Sequence, residues 1–203
     1  MKKMRLGEAQ SKKNTRQRMV EAALALFHER GVPATSVDAV LARSGTGKSQ
    51  FSHYFGSKEG LVTATLEYFE QKMHQGAYSP FSSIESWAQL EQFMRGFSKW
   101  QKTVNYELSC PIGTISHDLD ENQKELRRLA HQIFEWRRNY VAHFFKKEQA
   151  ADRMKKEIKP KALADFCYTI IQGGLWMAKA ERNAKPFENA VSIALTYLKS
   201  LRI

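Results

Sequence analysis

Only two cysteines, Cys110 and Cys167, occur in the 203 residues. That is too few for a disulfide framework, and their spacing suits no metal site. No segment approaches the roughly eighteen consecutive apolar residues of a membrane span. Lys2, Lys3 and Arg5 have no apolar stretch behind them, so the N-terminus does not read as a secretory signal. A reducing cytoplasm is the expected setting. Strand-period alternation, internal repeats and low-complexity tracts are missing as well. Acidic residues are scarce: 21 Asp and Glu face 32 Lys and Arg, for a net charge of +11. The imbalance is uneven, with ten Lys and Arg against four Asp and Glu between Met1 and Gly56, a net +6. An anionic partner for the N-terminal part follows from that concentration.

What the chain does contain is helical periodicity almost throughout, and an all-α fold is expected. Met19, Ala22, Ala23, Leu26 and Phe27 make the apolar face of a first helix over Arg16–Arg30, ended by Gly31 and Pro33. Ser36 stands as N-cap before Val37, Val40 and Leu41, Asp38 suits the first turn, and Gly45 ends this second, short helix. Lys48–Phe55 reads as a third helix with Phe51, Tyr54 and Phe55 inward, and Lys48, Ser49, Gln50 and His53 outward. A short helix, a glycine turn and a polar-faced second helix are the parts of a helix-turn-helix that enters the DNA major groove.

Ala42–Ser49 spells A-R-S-G-T-G-K-S, which also fits a relaxed phosphate-binding loop. A nucleotide-hydrolysing enzyme built on it would need a buried strand before Ala42, where the pattern is helical. A helical protein-interaction module is a third reading. The basic stretch Met1–Asn14 is either an arm that reaches phosphates or a frayed terminus.

Thr35-Ser36-Val37, Gly45, Lys48, His53-Tyr54-Phe55 and Ser57-Lys58-Glu59 with Leu61 resemble the TetR family of bacterial transcriptional regulators. Ala22-Ala23, Leu26-Phe27 and Gly31 fall where that family's first helix and its end are expected. Thr46, Gly47, Ser49 and Ser52 depart from its usual pattern. The resemblance is close over the first sixty or so residues. It implies a helix-turn-helix domain over residues 1–56 and a helical effector-binding and dimerisation domain over 57–203. It implies a DNA-binding regulator and no enzyme or cofactor: a repressor bound to a palindromic operator as a homodimer.

Within that frame, Lys48, Ser49, Gln50 and His53 are expected to face bases, with Gln50 suited to adenine and Lys48 to guanine or phosphate. Thr35, Thr46, Tyr54 and Lys58 are expected on the sugar–phosphate backbone. In the rest of the chain, further helices follow from the stripes Trp87–Trp100, Leu126–Phe144, Leu163–Ile171 and Phe187–Leu201. Leu163, Ile170, Gly173, Gly174, Val191, Leu195 and Leu198 are expected at a dimer interface. Trp87, Trp100, Tyr106, Trp136, Tyr140, Phe166 and Trp176 are expected to line an apolar cavity for a small effector, or else to be plain core. Cys110, before Pro111 at a helix break, is either a sensing thiol in that cavity or a buried structural one. His117, His131 and His143 show no metal spacing.

Overall fold

Asn14 caps the first helix, its side chain accepting from the Gln17 N–H at 2.8 Å. The computed structural model describes residues 14–77 and 83–203, so the basic arm read over the first thirteen residues lies outside it. Among the described residues are nine helices: α1 (Thr15–Arg30), α2 (Val37–Ser44), α3 (Lys48–Phe55), α4 (Lys58–His74), α5 (Trp87–Thr103), α6 (Pro111–His117), α7 (Lys124–Ala150), α8 (Pro160–Glu181) and α9 (Lys185–Ser200). No strand occurs among them, only an isolated antiparallel bridge between Met154 and Arg202.

The cap expected at Ser36 forms, and Ser57 caps α4 in the same way. Ser36 accepts from the Ala39 N–H at 3.1 Å, and Ser57 from the Gly60 N–H at 3.1 Å. Gly45 ends α2 in the left-handed region (φ 62°, ψ 46°), which glycine enters without a Cβ penalty. That turn sends α3 off across α2.

Two cores hold the molecule. The first joins α1–α4 to α6 and the start of α7, with Phe27, Leu61, Leu66, Ile112 and Ile115 fully buried. The second joins α5, α8, α9 and the rest of α7 around Phe144, Phe145 and Phe187. The first core therefore runs across Gly56: α4 packs on α1 and α3 at one end and on α7 at the other, and α6 packs on α1. Two hydrogen bonds reinforce the α1–α6 seam. The Val32 N–H donates to Asp118 Oδ2 at 2.8 Å, and His28 Nε2 lies 2.6 Å from the Ser109 carbonyl.

The packing corrects several expectations. Leu163, Val191, Leu195 and Leu198 fill the interior of a single chain, so they are not free to meet a second copy. Gly174 is buried because the Phe187 ring of α9 lies against it: a Cβ there would sit 2.0 Å from Phe187 Cδ2. Gly173 beside it faces open space, and Ile170 is half-buried against the second core. Tyr54 is 41% exposed rather than inward, leaving Phe51 and half-buried Phe55 as the anchors of α3.

Trp87 belongs to a clasp rather than a cavity. Its indole N–H donates to buried Glu148 at 2.7 Å, and its ring meets Phe144 edge-on. Arg153 also bonds Glu148, and Arg202 covers the Trp87 ring at 5.5 Å. Those contacts fasten the chain's C-terminal residues to the start of α5.

Candidate functional site

A helix that reads a groove must be held rigidly from behind while its front stays open. In α3 the Phe51 and Phe55 rings lie 5.7 Å apart on the inner side, and the Arg16 guanidinium covers Phe55 at 5.7 Å. Lys48, Ser49, Gln50, Ser52, His53 and Tyr54 are all exposed on the outer side. Gly47 has no side chain to cap the helix, so Gln50 does part of that work: its Oε1 accepts from the Gly47 N–H at 3.1 Å. Lys48 reaches Asp38 at 3.2 Å, but both groups are largely in solvent and the pair constrains little.

Around this helix, Thr46 bonds Ser44 at 2.6 Å between hydroxyls, and Arg43 clamps Glu29 at 2.8 Å. The Arg43 hydrogen bond holds the Glu29 carboxyl below its usual range. Thr35 departs from expectation. It is 1% exposed and its hydroxyl donates to the Gly31 carbonyl at 2.8 Å, so it braces the end of α1 and has no side-chain atom to offer a phosphate. Lys58 is half-buried in the first turn of α4. The turn before it is tight: a Cβ on Gly60 would meet the Phe55 carbonyl oxygen at 2.2 Å.

Behind this reading head lies a cavity of about 750 Å³, within the range of small-molecule sites. Its walls come from both cores. Glu21, Leu24, Ala25 and His28 of α1 and Tyr68 and Phe69 of α4 form one side. Phe93, Gly96, Phe97 and Trp100 of α5 form another, and Ile133, Arg137, Tyr168, Gln172 and Leu175 close it from α7 and α8. Ser109, Cys110, Pro111 and Ile112 bring the start of α6 to the wall. Of the residues expected there, Trp100 and Cys110 are present.

The others lie elsewhere. Trp87 is in the clasp, and Tyr106 sits in the turn after α5 with a left-handed φ of 60°. Trp136 stacks on Tyr140 at 5.9 Å and meets His74 at 5.0 Å, while Tyr140 stands behind Phe93. Phe166 and Trp176 are on the outer face of α8. The missed wall residues carry one usable signal: Glu21 and His28 stand seven apart with Ala25 between them on α1, and Arg137 interrupts the apolar stripe of α7 four residues after Ile133.

Three wall groups, Cys110, His28 and Tyr168, have shifted acidities, Tyr168 being raised by burial. Burial, above all, raises the Cys110 thiol, opposed by the Gly113 N–H at 3.3 Å and the Arg137 charge. His28 is lowered from 6.5, first by burial and then by the Lys179 charge, against the Ser109 carbonyl bond. The folded chain thus declines a proton that the unfolded chain accepts, so stability is full above about pH 6.5 and falls as pH drops below it. His28→Gln keeps a donor for Ser109 and is expected to flatten that fall, measured as denaturation midpoints between pH 7.5 and 5.5. An unchanged slope would remove His28 as its source.

The phosphate-loop reading of Ala42–Ser49 fails on geometry. Ala42–Ser44 is the last turn of α2 and Lys48 opens α3, with no strand before the loop to aim its amides at a phosphate. Among the described residues no helix is long and apolar enough to cross a membrane, and no group of three His, Cys, Asp or Glu side chains is placed to hold a metal ion.

Residues 19–65 match the family model for bacterial regulatory proteins of the tetR family, and residues 86–194 match the model for the Tetracyclin repressor-like C-terminal domain. The HTH-type transcriptional repressor DhaR of Mycobacterium sp. GP1 is 26% identical over 188 residues, covering 90% of this chain and 91% of its own. Transcriptional regulator AcuR of Cereibacter sphaeroides is 23% identical over 177 residues, covering 85% and 80%. In shape, the chain is similar to the crystal structure of a TetR transcriptional regulator from Chloroflexus aurantiacus, with a TM-score of 0.78 at 23% identity over 93% of this chain and 96% of that one. With both family models matched in order along it, the chain belongs to the TetR family and is a helix-turn-helix transcriptional regulator, not an enzyme.

Proposed function

We propose that this regulator is a cytoplasmic repressor that binds a palindromic operator as a homodimer and leaves it when a small, largely apolar effector fills the cavity. The observation that carries this reading is the shared wall: α1 and α4, which hold α3 in place, also form one side of the cavity. An effector seated between Tyr68 and Phe69 of α4 and the α5 aromatics bears on the helix whose other end carries Lys58. It also bears on His28 and the start of α6, tied to α1 through Ser109 and Asp118. An effector shifts the equilibrium only by its differential affinity for the two arrangements. A cavity walled by both parts gives it that difference. The repressing sense takes support from DhaR, which is named a repressor.

Residues 1–56 are the reading unit in this proposal and 57–203 the regulatory and dimerising one. Lys48, Ser49, Gln50 and His53 face the bases; Thr46, Tyr54 and Lys58 face the backbone. Dimerisation uses the face of α8 and α9 that the monomer leaves uncovered: Phe166, Gly173, Trp176, Ile193 and Tyr197. A dimer sets two recognition helices about one helical turn of DNA apart, as a palindrome requires. Release from the operator by modification of Cys110 is the weaker alternative, because burial raises the thiol's pKa and the thiolate is the reactive form.

Selection of bound fragments from the source genome, followed by footprinting, tests the reading. A protected palindrome supports it, and an unstructured footprint overturns it. On that operator, Lys58→Met is expected to weaken binding to all sequences and reduce the slope of log affinity against log salt by about 1. Gln50→Ala is expected to relax the preference at one base pair per half-site, worth about 1–3 kcal/mol for a bidentate contact. An unchanged salt slope, or an intact preference, would remove the corresponding residue from the contact set.

A further inference from the structure

Arginines in the helix-turn-helix mostly have acidic partners. Arg43 pairs with Glu29 at 2.8 Å, and Arg16 reaches Glu67 at 4.0 Å. Arg18 differs in three respects. It lies near the start of α1, where the positive end of the helix dipole disfavours a cation and the first turn holds no acidic side chain. The residue is half-buried, and its Nε is buried without a hydrogen-bond partner. No hydrogen bond or ion pair ties its guanidinium to a described residue. Partial burial of an unpaired cation is costly, so the free protein carries a charge whose partner lies outside it.

Its position says which partner. Arg18 Nη1 stands 3.8 Å from where a Cβ on Gly45 would be, so the guanidinium lies against the turn that joins α2 to α3. Gly45 and Gly47 are both exposed, and a Cβ on Gly47 would meet nothing within 4 Å. The turn therefore leaves room for an approaching group. When a helix-turn-helix docks, the first residues of the recognition helix reach base edges while the helix before it crosses the backbone. Phosphates then pass beside the turn between them. We propose that Arg18 is a DNA contact, its guanidinium meeting a backbone phosphate beside the Gly45–Gly47 turn and fixing the start of α3 at the groove edge. A guanidinium suits this task because its N–H groups form a fork that matches two phosphate oxygens. Arg18 has this role whether or not the operator is a palindrome or an effector fills the cavity.

Fluorescence anisotropy with the full chain and a mixed-sequence duplex of about 30 base pairs, repeated between about 50 and 300 mM salt, tests it. Arg18→Met is expected to reduce the slope of log affinity against log salt by about 0.9, the loss of one phosphate contact, and to weaken binding about 8-fold at about 0.1 M salt. Arg18→Lys keeps the charge and is expected to keep the slope. Lys155→Met removes an equal charge from the exposed loop between α7 and α8, beside Met154 of the second core, and is expected to leave the slope unchanged. Denaturation of the free protein gives a second readout. Because the guanidinium has no partner there, Arg18→Met is expected to keep or raise the unfolding midpoint. An intact slope in Arg18→Met, or an equal loss in Lys155→Met, would overturn the contact. So would equal loss of slope in Arg18→Met and Arg18→Lys, which would assign the effect to shape at the turn. An Arg18→Met chain that is destabilised or does not fold would show that the guanidinium already has its partner inside the protein. No binding by the unaltered chain at the lowest salt would overturn the proposal as well.

Discussion

Gly174→Ala is expected to lower stability by about 3 kcal/mol, at the upper end of what overpacking usually costs. The added Cβ would lie 2.0–2.4 Å from three atoms of the Phe187 ring, well inside any allowed contact. Phe187 cannot yield easily, being fully buried at the start of α9 among Leu175, Val191 and Leu195. Gly173→Ala, one residue away, meets nothing within 4 Å and is expected to stabilise α8 by up to about 1 kcal/mol through helix propensity. Adjacent glycines of opposite sign make denaturant unfolding a direct check. A double-mutant cycle with Phe187→Ala isolates the cause, because the clash should largely vanish once the ring is gone. Equal, small effects at 173 and 174 would mean that α8 and α9 are not packed as described.

The second large effect concerns assembly. Trp176→Lys combined with Ile193→Lys is expected to convert the proposed dimer to a monomer and to reduce operator affinity by about 10²- to 10⁴-fold, the usual gain from linking two binding units. These two side chains are 65% and 71% exposed in the single chain. Phe166 and Tyr197 extend the patch, their rings meeting edge-on at 5.8 Å. Exposed apolar surface of this kind on neighbouring helices normally marks an interface. Because the side chains support nothing inside the monomer, the variant should keep its helical signal and melting cooperativity. Light scattering after size exclusion reads the assembly, and binding to a full operator against a half-site reads the consequence. A variant that remains dimeric, or a monomer that binds the full operator unchanged, would sink the assignment.

Much of the local structure was legible from short-range signals. The caps at Ser36 and Ser57, the left-handed Gly45 and the span of α3 all depend on contacts within four residues, and sequence displays those contacts directly. Even here periodicity misleads at the edge of a stripe: Tyr54 follows Phe51 by three positions yet lies outside. Its neighbour Phe55, at four, covers the seam with α1 instead.

The destinations of the aromatics were not legible in the same way. Phe93, Phe97 and Trp100 stand at i, i+4 and i+7 and so share the face of α5 that meets the cavity. Trp87, on the same helix, ends in the clasp with Glu148 because α7 and the C-terminal residues happen to pass there. Periodicity assigns a side chain to a face of its helix; it does not name the helix opposite.

By itself, the sequence determined an all-helical chain with a basic helix-turn-helix at its start, since period, caps and charge are properties of neighbouring residues. Tertiary structure alone decided that α1 helps to wall the cavity, that Arg137 is buried in it, and that Thr35 supports the reading head from inside. It also decided that Leu163, Val191, Leu195 and Leu198 are interior while Trp176 and Ile193 are left uncovered. The physical reason is the same in each case: burial is a relation between elements far apart in the chain, fixed only when their faces meet.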